Sequence, residues 1–301
     1  MRAKASEFPR GVMELFDGYV HGRLSRREFL DRAAVFAVGG MTAGAMFEAL
    51  RPNYALAQQV PKDDSRLRTS YESYPSPKGS GTMRGYLARP ASATGKLPGV
   101  VVVHENRGLN PYIEDVARRL AVENYVAFAP DALAPVGGYP GDDEKAAQLF
   151  LALDPAKYTE DLLAAVPYLA SRPECNGRVG AIGFCFGGGV VNRMAAGNPD
   201  LGAAVPYYGT QIPVEMVPAI KAPLLLQYAE NDENINKGIG SYETALAANN
   251  KKYAIYIYAG TQHAFNNDTG AARYNKAAAE LAWSRTLTFL AEHLGAPPKA
   301  S

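Results

Sequence analysis

The chain has 301 residues, 47% of them hydrophobic and 20% charged, with 31 Lys+Arg against 30 Asp+Glu. This composition excludes a disordered chain and a collagen-like repeat, and two cysteines cannot staple a disulfide miniprotein. A net charge near zero offers no basic face to nucleic acid, and 4 His with 2 Cys leave little material for a soft-metal site.

Near the N-terminus, Ser25-Arg26-Arg27-Glu28-Phe29-Leu30 precedes a modestly apolar stretch at 33–50 that Glu48 interrupts. That stretch is too polar for a membrane span, so no stable span is expected. Ala55-Leu56-Ala57 then precedes Gln58. A twin-arginine pair, a weak apolar segment and an A-x-A-like site, in that order, resemble a twin-arginine (Tat) export signal over residues 1–57. The resemblance implies passage through the Tat machinery to a periplasmic or secreted location. The stretch before Arg26 is longer than most such signals carry. Ser25 and Glu28 also fit a capping box opening an ordinary helix, and the two readings are compatible.

Residues 58–68 read as a loose polar leader and 69–301 as one domain. Thr69–Tyr74 and Thr82–Arg89 alternate polar and apolar residues, as half-solvated antiparallel edge strands do, with Pro77, Gly79 and Gly81 marking the turn. The β-branched run at 99–103 predicts a strand buried on both faces. Helical spacing at 113–122 and a short strand at 126–129 follow. Helices are then expected within 142–153 and at 157–171, 187–197, 239–249 and 271–294. Strands are expected at 178–183, 203–208, 223–229 and 253–258. Alternating strands and helices predict an α/β fold, a mostly parallel sheet with helices on both faces and an antiparallel N-terminal edge.

Strand 178–183 runs into Gly183-Phe184-Cys185-Phe186-Gly187-Gly188-Gly189, a G-x-C-x-G on a strand-to-helix turn. A nucleophile on so sharp a turn needs small neighbours, and the helix N-terminus beneath it lowers a thiol pKa and stabilises an oxyanion. A core cysteine and a phosphate-holding turn are the bland alternatives; no G-x-G-x-x-G is present, and no cofactor or metal motif is found. A Cys175–Cys185 disulfide is excluded by length, because an extended strand between them holds the ends roughly 20 Å or more apart.

A nucleophilic thiol needs a base. His21 lies in the export segment and His293 near the end of the last helix. His104 and His263 both sit at the carboxyl edge of the sheet, where ligands gather, and only His263 follows the nucleophile. The acid belongs after strand 223–229, where Asp232 is preferred and Glu230 and Glu233 are the fallbacks. Asp131, before the nucleophile, reads as a structural turn aspartate.

Taken with Val103-His104-Glu105-Asn106-Arg107-Gly108-Leu109-Asn110, Tyr207-Tyr208-Gly209 and His263-Ala264-Phe265, these residues resemble the dienelactone hydrolase (carboxymethylenebutenolidase) family across roughly 80–295. The resemblance implies an α/β-hydrolase fold and hydrolysis of a small-molecule ester or lactone by a Cys185–His263–Asp232 triad. It implies that Glu105 contacts the resting thiol until substrate displaces it. It places the oxyanion hole at the backbone N–H groups of Phe186 and Asn106. Two arginines that hold the substrate carboxylate in dienelactone-cleaving members are absent: the first region reads Gly141-Asp142-Asp143-Glu144-Lys145, and Asn267 stands at the second. Lys145 and Arg107 are the cations available instead, and Tyr207 and Tyr208 are candidate pocket residues. The alternative is an exported, catalytically silent domain of the same fold used for binding.

Overall fold

The structure is a computed structural model describing residues 7–37, 41–56 and 58–297. The strands are β1 (Leu67–Ser76), β2 (Gly81–Pro90), β3 (Leu97–Val103), β4 (Val126–Pro130), β5 (Cys175–Phe184), β6 (Ala203–Tyr207), β7 (Leu224–Asn231) and β8 (Tyr253–Gln262). They form one sheet in the order β1-β2-β4-β3-β5-β6-β7-β8. β1 pairs antiparallel with β2, and β2 antiparallel with β4, while β4, β3, β5, β6, β7 and β8 run parallel to one another in that order. The edge follows from composition: β1 is mostly exposed, whereas every residue of β3 is buried. Within β3 the pleat divides its valines, Val101 and Val103 into one core and Val100 and Val102 into the other.

The helices are α1 (Arg10–Val20), α2 (Arg26–Ala33), α3 (Ala43–Leu50), α4 (Pro111–Val122), α5 (Asp143–Leu151), α6 (Pro155–Leu163), α7 (Ala165–Ser171), α8 (Phe186–Gly197), α9 (Glu233–Asn236), α10 (Ile239–Ala248) and α11 (Lys276–Leu294). α4 and α11 cover one face of the sheet, while α5 to α8 and α10 cover the other. The single helix expected at 157–171 is two, α6 and α7. Pro167 cannot donate to the carbonyl of Leu163 and its ring crowds it, so the break falls at that turn. The last helix starts at Lys276, where the Asn275 side chain accepts from the Ala278 N–H, and not at 271.

The N-terminal segment is folded onto the domain. Ser25 and Glu28 form the expected capping box at the start of α2, and Thr42 caps α3. Phe8, Val12, Met13, Phe16, Phe29, Met46, Phe47 and Leu50 bury one another in a small cluster that also takes in Ala272 of the domain. The segment is tied down by the Asn53 N–H donating to Thr269 O at 2.8 Å and the Tyr54 hydroxyl donating to Asp143 at 2.8 Å. Ala57, the last residue of the A-x-A-like site, lies outside the described residues, as do residues 38–40 of the apolar stretch. Among the described residues no helix is long and apolar enough to cross a membrane.

Candidate active site

β5 delivers the chain into α8 through Cys185, which sits at φ 56° and ψ −115°. A non-glycine residue at positive φ is strained by roughly 1–3 kcal/mol and persists only where surroundings impose it. Here they do. A Cβ on Gly187 would stand 2.3 Å from Val103 O, and one on Gly183 would stand 2.2 Å from Gly187 O. The turn therefore closes only with glycine at both flanking positions, and that is the physical content of G-x-C-x-G. The same closeness brings the end of β3 against the start of α8, where the first helical N–H groups lack intrahelical partners. Phe186 opens α8, and Asn106 lies in the loop after β3. Both cysteines are free thiols.

His263 follows β8 directly, and its Nδ1 lies 2.5 Å from Asp232 Oδ2 at the end of β7, both side chains being buried. Its Nε2 is buried without a hydrogen-bond partner of ordinary geometry; what faces it is the sulfur, whose distance to a His263 ring nitrogen is within 4.8 Å. Of the fallback acids, Glu230 accepts from the Gly260 N–H in an exposed loop, and Glu233 pairs with Arg10 at the surface. Burial opposes a charge on His263, but the neighbouring sulfur and Asp232 outweigh it and raise its pKa to about 10. Burial likewise opposes the Cys185 thiolate, and the charges and hydrogen bonds of His263 and His21 reverse this, holding the thiol well below its usual value. The geometry favours a thiolate–imidazolium pair at neutral pH.

His21, set aside in the sequence because it falls in the stretch read as an export signal, stands in this site. It follows α1, and its Nε2 lies 3.8 Å from Cys185 Sγ. Its ring meets that of His263 with centroids 4.6 Å apart. Its Nδ1 is 3.1 Å from Asp17 Oδ1, one helical turn back. Against the cost of burial, Asp17 and the sulfur raise the His21 pKa to about 9. The Asp17–His21 spacing of i, i+4 was the available signal, since it puts both side chains on one helix face.

Glu105 does not bond the thiol; its carboxylate accepts from Asn267 Nδ2 at 3.0 Å. Burial, and then the negative sulfur, push its pKa up to about 7. His104 is used up structurally: its Nδ1 meets Glu105 O at 2.5 Å, and its Nε2 accepts from the Ala132 N–H at 3.0 Å. Asp131 is the turn aspartate expected, accepting from the N–H groups of Leu109 and Leu133.

The candidate pocket residues separate. Tyr208 lies against the site, its ring centroid 5.0 Å from that of His263 and its buried hydroxyl without a partner. Tyr207 does not: β-strand alternation turns it to the core, where its hydroxyl lies 2.6 Å from Thr286 Oγ1 of α11. Lys145 is exposed on α5 and lines none of the cavities at the site. Arg107 is buried and donates to Val20 O at 3.2 Å, so it holds the N-terminal segment. Arg107 nevertheless lines a small cavity with Glu105, and a second cation that the sequence did not single out lines it too. Arg273, ahead of α11, lines both that small cavity and one of about 740 Å³ shared with Asp232 and His263. Its Nη1 is buried without a hydrogen-bond partner.

Comparison with known proteins identifies the family. Residues 83–294 match the Dienelactone hydrolase family, and residues 1–38 separately match a family described as YqhI-like. The "Putative hydrolase fragment YghX" of Escherichia coli K12 is 60% identical over 115 residues, 38% of this chain and 98% of that one. The "Putative carboxymethylenebutenolidase" of Salmonella typhi is 35% identical over 228 residues, 71% of this chain and 84% of that one. The crystal structure of a "Putative Dienelactone Hydrolase" from Klebsiella pneumoniae superposes with a TM-score of 0.65 at 31% identity, covering 75% of this chain and 99% of that one. The chain therefore belongs to the dienelactone hydrolase family, and it is an α/β-fold hydrolase of ester or lactone bonds.

Proposed function

We propose that the chain cleaves a small ester or lactone through a thioacyl intermediate on Cys185. The observation that carries this reading is the sulfur at a strained elbow, faced by an imidazole whose other nitrogen is held by Asp232. The thiolate attacks the substrate carbonyl carbon, forming a C–S bond and an oxyanion. The oxyanion lies between the backbone N–H groups of Phe186 and Asn106. As the C–O bond breaks, the His263 imidazolium gives its proton to the leaving oxygen. In a lactone that oxygen stays in the same molecule. Neutral His263 then takes a proton from water, the resulting hydroxide attacks the thioester, and the C–S bond breaks to release the acid. Asp232 holds the ring in the tautomer that leaves Nε2 toward the sulfur.

Glu105 shares its surroundings with the sulfur and is assigned the role of neutralising partner, taking up charge when the thiol is acylated. The unpartnered Tyr208 hydroxyl supports a place for it in the wall of the substrate pocket. For localisation, the order of the twin-arginine pair, the apolar segment and the A-x-A-like site supports export by the Tat route to the periplasm or beyond. Mass spectrometry of the exported protein should then find Gln58 at the N-terminus, and an intact Met1 on protein recovered from cytoplasm alone would end that reading. For the activity, a panel of p-nitrophenyl esters and small lactones is to be turned over by the wild type and not by C185A, with both proteins melting alike. Turnover surviving in C185A would refute the mechanism.

A further inference from the structure

The sulfur is faced by two imidazoles, and each has its Nδ1 held by an aspartate residue. His263 presents Nδ1 to the Asp232 carboxylate at 2.5 Å, and His21 presents Nδ1 to the Asp17 backbone carbonyl at 2.9 Å, with the Asp17 carboxylate 3.1 Å away. Each ring is thereby left with Nε2 free toward Cys185. One ligand atom from each of the three residues lies within 4.8 Å of the other two. A histidine whose second nitrogen is held by a carboxylate or a backbone carbonyl is the usual arrangement behind a metal ligand, because that partner fixes the tautomer and raises the basicity of the coordinating nitrogen. With zinc bonds of about 2.3 Å to sulfur and 2.0–2.1 Å to nitrogen, a tetrahedral S···N edge is roughly 3.6 Å. The 3.8 Å between Cys185 Sγ and His21 Nε2 is within a few tenths of that edge.

We propose that Cys185, His21 and His263 together form a binding site for a thiophilic divalent cation of the zinc type. The donor set of one thiolate and two imidazoles selects against magnesium and calcium, which take oxygen ligands. Binding to the thiolate displaces the protons of the two Nε2 nitrogens, and a tetrahedral cation keeps one position open to water. A cation on the sulfur occupies the electron pair that attack on an ester requires, so the loaded protein is unreactive and chelation restores it. Because His21 comes from the N-terminal segment, the site exists only in the chain that retains that segment. None of this depends on which ester the enzyme cleaves.

The test uses the full chain, reduced and stripped with a chelator, and titrates it with zinc alone by calorimetry and with cobalt by absorbance. The expected result is one zinc per chain and a thiolate-to-cobalt charge-transfer band. Affinity is expected to fall at least ~tenfold in H21A, the scale of losing part of a site's ligand shell, and to recover in H21C, which returns a soft donor to the same place. Limited proteolysis of H21A checks that the segment is still docked. Absence of saturable uptake, a cobalt spectrum without the charge-transfer band, or an affinity that H21A leaves unchanged would each overturn the proposal. Zinc uptake is read without substrate, so failure of the hydrolase reading appears separately, as absent ester turnover in metal-free protein.

Discussion

His21 Nε2 stands 3.8 Å from the sulfur of Cys185 across 164 residues of sequence. With the helical segment that carries it in place, Cys185 is only 6% exposed. In the full chain, access of reagents to the thiol is therefore expected to rise when the segment shifts. What holds the segment is a small aromatic cluster, in which the Phe47 ring meets those of Tyr19 and Phe29 with centroids 5.0 and 5.3 Å apart. Removing a buried phenylalanine costs about 3–5 kcal/mol, more than so small a cluster can absorb. F47A should therefore alkylate faster with iodoacetamide than the wild type while the urea midpoint of the main sheet stays put. Equal alkylation rates would mean that the segment does not gate the thiol.

The Asp232 carboxylate makes a different prediction. D232N keeps the shape but lets the amide face His263 in the wrong tautomer, so kcat should fall by about two to four orders of magnitude with KM little changed. E230Q and E233Q should be near wild type, because those carboxylates face the Gly260 N–H and Arg10 and not the imidazole. A larger loss in E233Q than in D232N would reassign the acid.

These assignments mark how far the sequence was legible. The sheet was readable because β3 is buried on both faces and β1 is not, and burial writes itself into composition. Cys185, Asp232 and His263 were readable because each follows a strand at the same edge, so chain order stands in for spatial order. His21 was not, since nothing local says that a helix near residue 20 folds back over β5. The cluster formed with Ala272 and the bonds from Asn106 and Arg107 to Val20 O, with those of Asn53 and Tyr54, bring it there. Tyr207 and Tyr208 are adjacent and chemically alike, and what separates them is that Tyr207 ends β6 facing the core while Tyr208 leaves the strand at φ 36° and meets His263. The same distance along the chain hides any Cys–His–His metal site from a search for ligand spacing.

The pH dependence follows from the directions of two shifts. The Cys185 pKa is held well below its usual value, so the thiolate persists as pH falls through neutrality and is lost only on the acid side. The His263 pKa is raised to about 10, so its imidazolium is present through neutrality and is lost as pH rises through that value. In chelator-treated protein, the rate of alkylation should thus be nearly flat between about pH 6 and 8, where an ordinary thiol of pKa ~8.5 rises steeply. H263N removes the larger of the two stabilising charges and should move the acid limb upward. A wild-type profile that climbs with an ordinary thiol pKa would show that the pair is neutral at rest.

Arg273 bears on substrate choice. Its Nη1 is buried without a hydrogen-bond partner, and its guanidinium lies 5.3 Å from the centre of the Phe16 ring. It lines the cavity that also reaches Asp232 and His263. A half-buried guanidinium with a buried donor to spare favours an anion, and a hydrogen bond to a charged group contributes about 1.5–3 kcal/mol. Arg107 is bonded to Val20 O and Lys145 is exposed, and neither lines that larger cavity. R273Q should therefore raise KM at least ~tenfold for esters that carry a carboxylate, while neutral esters of the same size change little. An equal loss for both classes would make Arg273 a prop for the N-terminal segment through Phe16, and the anion preference would have to come from elsewhere.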